Sequence, residues 1–328
     1  MTTAIFDFDI FAYRAASAGE KRTIKAYHPI SGDEWSCDTR TQLYGHWIKK
    51  SGGLLAEHNA TNGTNYTADE LVITDIQTPE DIANVLHTTK MMVESALYKL
   101  GTNKHKGFLG KGDSFRVERS TLLKYKGSRE DALRPLLLQD VREYIVKKYG
   151  AEVVEGLESD DWCVIEAHND TDKVIVTSDK DAKGTHCLVM NPFNDEGIVD
   201  CRGFGKLWLN SKKEVKGTGR LFMLFQTFGD SADNYKANCF SDLDFGDISA
   251  YNVLKDCKND KEAFKAVKEA FQLLYPEPKI VTGWRGNEFE IDWKYVFNEM
   301  FDMCRMMRSE TDFVIGTGVL DKFGLLGD

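Results

Sequence analysis

The chain opens on a short apolar run, Thr3 to Phe11, broken by two acids, Asp7 and Asp9. A run of this kind predicts a strand buried on both faces, and Ile10 to Ala18 can continue as a helix. Residues 20 to 75 lose the pattern. They are polar, with Gly52-Gly53 and a tract from Asn59 to Asn65, and read as an irregular or β-ribbon insertion. A helical period then sets in from Pro79 to Leu100. Pro79 stands at its start, Glu80 and Asp81 in its first turn, and Gly101 behind it. Its apolar positions are Ile82, Val85, Leu86, Met92, Val93, Ala96 and Leu97. A second helix is predicted from Leu133 to Tyr149, stopped by Gly150.

Shorter elements follow: a strand at Glu152 to Val154, a helix at Glu158 to His168 and a strand at Val174 to Thr177. Beyond Asp233 the pattern is helical, at Ile248 to Leu254, Lys261 to Leu274 and Trp293 to Met307. Strands alternating with helices predict an α/β domain with a mostly parallel sheet. Sites in such sheets form beyond the carboxyl ends of the strands. Asp7, Asp179 and Asp181 fall there.

Composition narrows the class. With 328 residues the chain can hold one large domain or two small ones. Its net charge of −10 argues against a non-specific nucleic-acid coat. It does not argue against a nuclease, whose acidic centre inflates the negative count. No run of about 18 apolar residues is present, so no membrane span is expected. The first residues show no secretory pattern. Seven scattered cysteines with no CxxC predict reduced thiols in a cytoplasm.

Three acidic clusters carry the chemistry: Glu158-Ser159-Asp160-Asp161, Asp179-Lys180-Asp181 and Asp230-Ser231-Ala232-Asp233-Asn234, with Asp7 and Asp9 as a fourth pair. Taken singly, each has a plainer reading. Acids at i, i+3 also cap a helix and favour its dipole, and many DxD pairs sit on surfaces without a role. Together, so many carboxylates at element ends would repel one another if bare. Hard divalent cations are the simplest compensation, since Mg²⁺ takes carboxylate oxygens and leaves positions for water and phosphate. Two such ions side by side cut phosphodiesters.

Basic residues are unevenly placed. Between Lys104 and Arg134 nine Lys/Arg face four acids, Asp113, Glu118, Glu130 and Asp131, for a local charge of +5. Lys212, Lys213, Lys216 and Arg220 form a smaller stretch. Cations that hold a backbone beside an acidic metal site suit a nucleic-acid substrate.

In this order the motifs resemble the 5′ nuclease (flap endonuclease) family, most closely the 5′→3′ exonucleases of lytic bacteriophages. The resemblance is carried by Ile5-Phe6-Asp7, Phe115 to Glu118, Tyr125 to Arg129, Gly156 to Asp161, Thr177 to Asp181 and Gly229 to Asn234, and covers roughly residues 1 to 18 and 108 to 255. It implies a PIN-like core with a helical arch and a helical C-terminal region. The core would take residues 1–200, with the arch at about 104–134 and the insertion at about 20–75, and the helical DNA-binding region residues 201–328. It implies that Asp7, Asp113, Glu158, Asp160 and Asp179 hold one Mg²⁺. A second would lie among Asp181, Asp230 and Asp233, with Asp161 as a catalytic helper and Mn²⁺ able to substitute. Asp9 would stand behind the ligands. Lys126 and Arg129 would neutralise the scissile phosphate, and Tyr125 would stack on the terminal base. Arg116, Lys124, Lys212 and Lys213 would grip nucleic acid. The implied activity is 5′→3′ hydrolysis of duplex DNA from ends, nicks or flaps, with RNase H-type action on RNA–DNA hybrids. The implied setting is phage replication and host-DNA breakdown, with phage replication proteins as partners and no membrane.

Two features depart from that family. Its glycine-rich hairpin after the last acidic motif is replaced by Tyr235-Lys236-Ala237-Asn238, and residues 20 to 75 have no counterpart. Two other readings compete. Asp7-x-Asp9 also fits a haloacid-dehalogenase-type phosphatase, with Asp7 as nucleophile and Asp9 as general acid. That pattern wants Thr or Val where Phe11 stands. A non-enzymatic DNA-binding protein of the same fold would have lost some of the acids, and none is missing.

Overall fold

Strand β1 (Thr3–Asp7) is buried along almost its whole length, with Ala4, Ile5 and Phe6 fully covered. It ends at Asp7, four residues short of the predicted Phe11. The apolar run fits either a strand or a helix, and the spacing decides. Phe8, Phe11, Ala12, Ala15 and Ala16 are buried at helical intervals along α1 (Phe8–Ala18). The structure, a computed structural model, describes residues 2–46, 52–130 and 132–327. Residues 47–51 of the expected insertion, and Asp131 of the basic segment, lie outside the described residues.

The next strands, β2 (Glu20–Tyr27), β3 (Glu34–Cys37) and β4 (Val72–Pro79), pair antiparallel in the order β3-β2-β4. The β-ribbon half of the expectation for residues 20–75 is what forms. Helices α2 (Arg40–Tyr44) and α3 (Leu54–Asn62) join this sheet around a small core of Ile24, Ala26, Leu43, Leu55 and Leu71. Pro79 does not start a helix. It ends edge strand β4 opposite Glu20, a position where its missing N–H is tolerated. Helix α4 (Ile82–Leu100) begins behind Asp81, whose carboxylate accepts the Ala83 N–H at 2.8 Å.

The central sheet is completed by β5 (His105–Ser114), and later by β6 (Glu152–Gly156), β7 (Lys173–Val176), β8 (Leu188–Met190) and β9 (Ile198–Asp200). Its order is β6-β5-β1-β7-β8-β9. All neighbours are parallel except β9, which closes the edge antiparallel to β8. The fold is therefore α/β with a mostly parallel sheet. The first ten residues after Lys104, in the segment expected as an arch, are the core strand β5. A five-residue helix, α5 (Phe115–Arg119), follows it. Helix α6 (Leu138–Tyr149) starts five residues later than predicted because Pro135 disfavours helical backbone before it. Helix α7 (Ser159–Ala167) joins β6 to β7.

Beyond β9 come a hairpin, β10 (Lys206–Leu209) with β11 (Val215–Thr218), and the buried helix α8 (Gly219–Gln226). A two-residue pair follows, β12 (Gly229–Asp230) with β13 (Tyr235–Lys236). Helices α9 (Asp247–Leu254), α10 (Asp260–Leu274), α11 (Trp293–Cys304) and α12 (Gly316–Lys322) make the helical remainder, with a hairpin of β14 (Lys279–Thr282) and β15 (Glu288–Ile291) between α10 and α11. Leu221, Phe222, Phe264, Phe271, Phe297 and Phe301 form its core. The seven cysteines are free thiols. Among the described residues, no helix is long and apolar enough to cross a membrane.

The chain divides into two compact units. One contains Met1–Phe11, Lys90–Leu133 and Arg142–Asp328, and so the central sheet and the helical region; the other contains Ala12–Thr89 and Arg134–Val141.

Gly107 of β5 leaves no room for a side chain. A Cβ there would lie 2.4 Å from the Phe8 ring and 2.8 Å from the Phe6 Cβ. Gly107→Ala should therefore cost about 1–3 kcal/mol of stability by overpacking. A urea midpoint unchanged from wild type would show that the two rings yield without strain.

Candidate metal centre

The parallel strands present their carboxyl ends side by side, and acids cluster there. Asp7 closes β1, Glu158 and Asp160 follow β6, and Asp179 and Asp181 follow β7. Asp230 and Asp233 sit in and after the short strand β12. The Asp7 carboxylate accepts the Ser159 hydroxyl at 2.7 Å and the Thr177 hydroxyl at 3.0 Å. Thr177 Oγ also accepts the Asp179 N–H at 3.1 Å, and Asp179 accepts the Asp181 N–H at 2.9 Å. These bonds fix the turn after β7. Asp181 accepts the side-chain amide of Gln226, the last residue of α8. Asp230 accepts the Ala232 N–H at 2.8 Å and lies 2.6 Å from the Lys180 ammonium.

Glu158, Asp160 and Asp161 each offer an oxygen within 4.8 Å of the others. They are not equivalent. Asp161 is fully buried and held bidentate by Arg116 at 2.6 and 2.9 Å. It also accepts N–H bonds from Met307 at 2.9 Å and Glu158 at 3.3 Å. Its oxygens are already satisfied, which makes it a positioning residue rather than the helper expected. Arg116 donates further to Glu158 at 3.0 Å and to the carbonyls of Met303 and Arg305 at 3.1 and 2.9 Å. All five of its N–H donors are used. At 2 % exposure it does not grip nucleic acid as the sequence suggested.

Tyr125 is likewise corrected. It is 4 % exposed, and its hydroxyl donates toward Glu158 at 2.9 Å and Asp233 at 3.1 Å. A ring so covered has no face for a terminal base. Lys126 pairs with Glu158, and Arg129 with Asp233 at 2.8 Å. Lys126 has left-handed backbone, φ 55°, and its N–H is held by the Asp233 carbonyl at 2.8 Å. Lys124 pairs with Glu130, and its ammonium lies 5.1 Å from the Trp284 ring centre. Lys212 and Lys213 are exposed in the β10–β11 turn. Asp113 is exposed at the bulged end of β5, and its side chain has no hydrogen bond or ion pair among the described residues. The structure does not draw it into the cluster. Asp9, in the first turn of α1, accepts the Gly110 N–H at 2.8 Å and pairs with Arg142. That engagement removes it from a general-acid role.

The charges are crowded. Burial, then Asp9 and Asp179, lift Asp7 to about 7. Burial, then Glu158 and Asp161, hold Asp160 well above the usual carboxylate range. Burial, then Asp179 and Asp230, do the same to Asp181. Asp233 is raised by burial, with Lys126 opposing and Glu158 adding to the rise. Glu158 goes the other way. Burial pushes it up, but Lys126 and Arg116 outweigh that and hold it low. A set of buried and half-buried, all-oxygen, mutually repelling ligands fits a hard divalent cation. Asp7, Glu158, Asp160 and Asp179 would hold one ion, and Asp181, Asp230 and Asp233 another.

Sequence reading missed the partners of these acids: Ser159, Thr177, Gln226, Lys180 and Arg142. Ser159 and Thr177 lie inside recognised motifs, so their hydroxyls were within reach of notice. Gln226 and Arg142 carried no local signal.

No protein-family model matches the chain, and no curated protein matches it. Among solved structures it is similar to a crystal structure of the T5 D15 protein co-crystallized with metal ions. The match covers 98 % of this chain and 97 % of that one, at 14 % identity and a TM-score of 0.42. A likeness that distant says nothing of activity.

Two outcomes follow from the centre's electrostatics. Arg116→Ala should cost about 3–5 kcal/mol, because it leaves Asp161 buried without its cation. Loss of nucleic-acid affinity at unchanged stability would restore Arg116 to a surface role. Asp160→Asn should leave the EDTA-treated protein as stable as wild type or more so, while reducing the rise in Tm on adding Mg²⁺. Differential scanning calorimetry with and without the ion checks both halves.

Proposed function

We propose that the chain is a divalent-metal-dependent nuclease of the 5′ nuclease type, acting 5′→3′ on duplex DNA. The observation that carries this reading is the convergence of Asp7, Glu158, Asp160, Asp179, Asp181, Asp230 and Asp233 with Lys126 and Arg129. The sequence resemblance supplies the polarity and the substrate. Mg²⁺ ions bound by these carboxylates would supply a hydroxide from water and charge stabilisation at the phosphate.

The chain's own residues supply the rest. Lys126 holds Glu158, Lys180 holds Asp230 and Arg129 holds Asp233. Each of these cations occupies a carboxylate that the reading assigns to metal. When the ligands take up metal charge, those pairs weaken. The Lys126 ammonium and the Arg129 guanidinium, whose side chain is 52 % exposed, then face a neighbouring anion. The anion in question is the scissile phosphate, on which both would offset the charge that develops as the leaving oxygen departs. Ser159 and Thr177 keep the Asp7 oxygens aimed, and Gln226 does so for Asp181. None of these groups senses a 2′-hydroxyl, so the RNA strand of a hybrid is also a substrate in this reading. Exposed Lys212 and Lys213 would contribute salt-dependent backbone contacts.

Lys126→Ala or Arg129→Ala should lower the single-turnover rate with Mg²⁺ about 10²–10³-fold. Lys212→Ala should instead weaken binding modestly and flatten its salt dependence. The substrate is a duplex labelled separately at each 5′ and 3′ end, with an RNA–DNA hybrid alongside. Early release of mononucleotides from the 3′ end would overturn the polarity. Intact DNA together with phosphate release from small monoesters would favour a phosphatase.

A further inference from the structure

The side chains of Arg220, Arg305 and Arg308 take no part in the carboxylate centre. With Lys322 they line a separate cavity of about 370 Å³. Its floor is apolar, built from Met223 of α8, Phe264 of α10, Phe301 of α11, and Val319 and Phe323 at α12. The Phe264 and Phe323 rings are tilted, with centroids 5.3 Å apart.

The rim holds more positive charge than its neighbours neutralise. Arg305 is engaged, donating to the Asp312 carbonyl at 2.8 Å and pairing with its carboxylate. Arg220 Nε lies 3.1 Å from Asp260, and its Nη2 lies 3.1 Å from the His186 ring nitrogen. Among the described residues, neither the Arg308 nor the Lys322 side chain has an acid within ion-pair distance. Nearby, His168 has a buried ring nitrogen, Nδ1, without a hydrogen-bond partner. Burial lowers the pKa of both His168 and His186, with Arg308 pressing further on each and Arg220 on His186. In a chain of net charge −10, this is a concentrated positive patch beside the half-buried Phe323 ring.

We propose that this cavity binds a nucleoside phosphate, with the base or sugar against the half-buried Phe323 ring and the phosphate on Arg308 and Lys322. The volume lies in the range of single small-molecule sites, which are mostly apolar with a few placed polar groups. Four cations line the cavity against the Asp312 carboxylate, which Arg305 engages and which accepts the Arg308 N–H at 3.2 Å. Arg308 and Lys322, neither ion-paired among the described residues, remain for a phosphate monoester of about −1.5 to −2 at neutral pH. An arginine fork and an ammonium are the donors suited to its oxygens. Phe264 and Phe301 are covered, but the half-buried Phe323 ring offers a base one aromatic face. The proposal does not rest on the nuclease reading, because the site shares no proposed metal ligand with it.

The test is isothermal titration of the full chain with dAMP in EDTA, where the carboxylate centre holds no metal. The expected result is saturable one-to-one binding. Arg308→Ala and Lys322→Ala should each weaken it about tenfold or more through loss of a charge-assisted hydrogen bond. Phe323→Ala should weaken it too, and Lys126→Ala should leave it unchanged. Unfolding midpoints of the variants confirm that they are folded. Three results would each overturn the proposal. One is an absence of dAMP binding, including the case where an acidic, Phe-terminated peptide binds instead. The second is affinity unaffected by Arg308→Ala. The third is inorganic phosphate binding as tightly as dAMP, which would leave the Phe323 ring without a part. Failure here leaves the nuclease reading intact, and inactivity on DNA leaves this site standing.

Discussion

The buried guanidinium of Arg116 is the constraint on which the rest of the centre is built. Its five donors reach α7 through Asp161 and Glu158, and the end of α11 through the Met303 and Arg305 carbonyls. One side chain thus joins segments that lie 45 and 189 residues away in sequence. Desolvating such a cation is expensive, and the cost is offset when every donor is matched and the counter-charge is bidentate. The arrangement also sets an electrostatic floor beneath the acids. Asp161 is neutralised outright and Glu158 is held low. Asp160, one residue from Asp161, is left to bear the repulsion.

Above that floor, the protein's own cations sit where a metal's charge would otherwise be needed. Lys126, Lys180 and Arg129 each engage a different acid from a different stretch of chain. Neutral groups do the aiming. The hydroxyls of Ser159 and Thr177 and the amide of Gln226 add direction to the carboxylates without cancelling their charge. Charge and orientation are therefore supplied by separate residues.

How much of this could be read in advance follows from the range of each interaction. Acids placed just after strands were legible because a strand's end is punctuated locally, as at Asp7 and Thr177. The start of α6 is set by Pro135 and not by the apolar period, and the end of β1 is ambiguous in sequence because Phe8 and Phe11 satisfy two periods at once. Strands β8 and β9, three residues each, are too short to show alternation. Burial of charged and polar side chains was the larger blind spot. Nothing local to Arg116 or Tyr125 says that each is covered by chain far away in sequence. A count of basic residues therefore credited the surface with a guanidinium that is interior. Exposure of Asp113 was hidden for the converse reason. Its motif looked acidic enough, but the β-bulge that turns the strand end there is a property of pairing with β6.

The left-handed backbone of Lys126 has its own implication for how this segment can change over generations. A side chain in that conformation costs about 1–2 kcal/mol that glycine would not incur. Drift toward glycine at 126 would relieve that backbone strain. It is uphill for the electrostatics of Glu158, which would lose the ammonium that holds it ionised. The position sets backbone strain against an ion pair, and the chain keeps the pair. Selection on heat resistance alone would act on two opposed terms here, the strained backbone and the pair that strain holds in place.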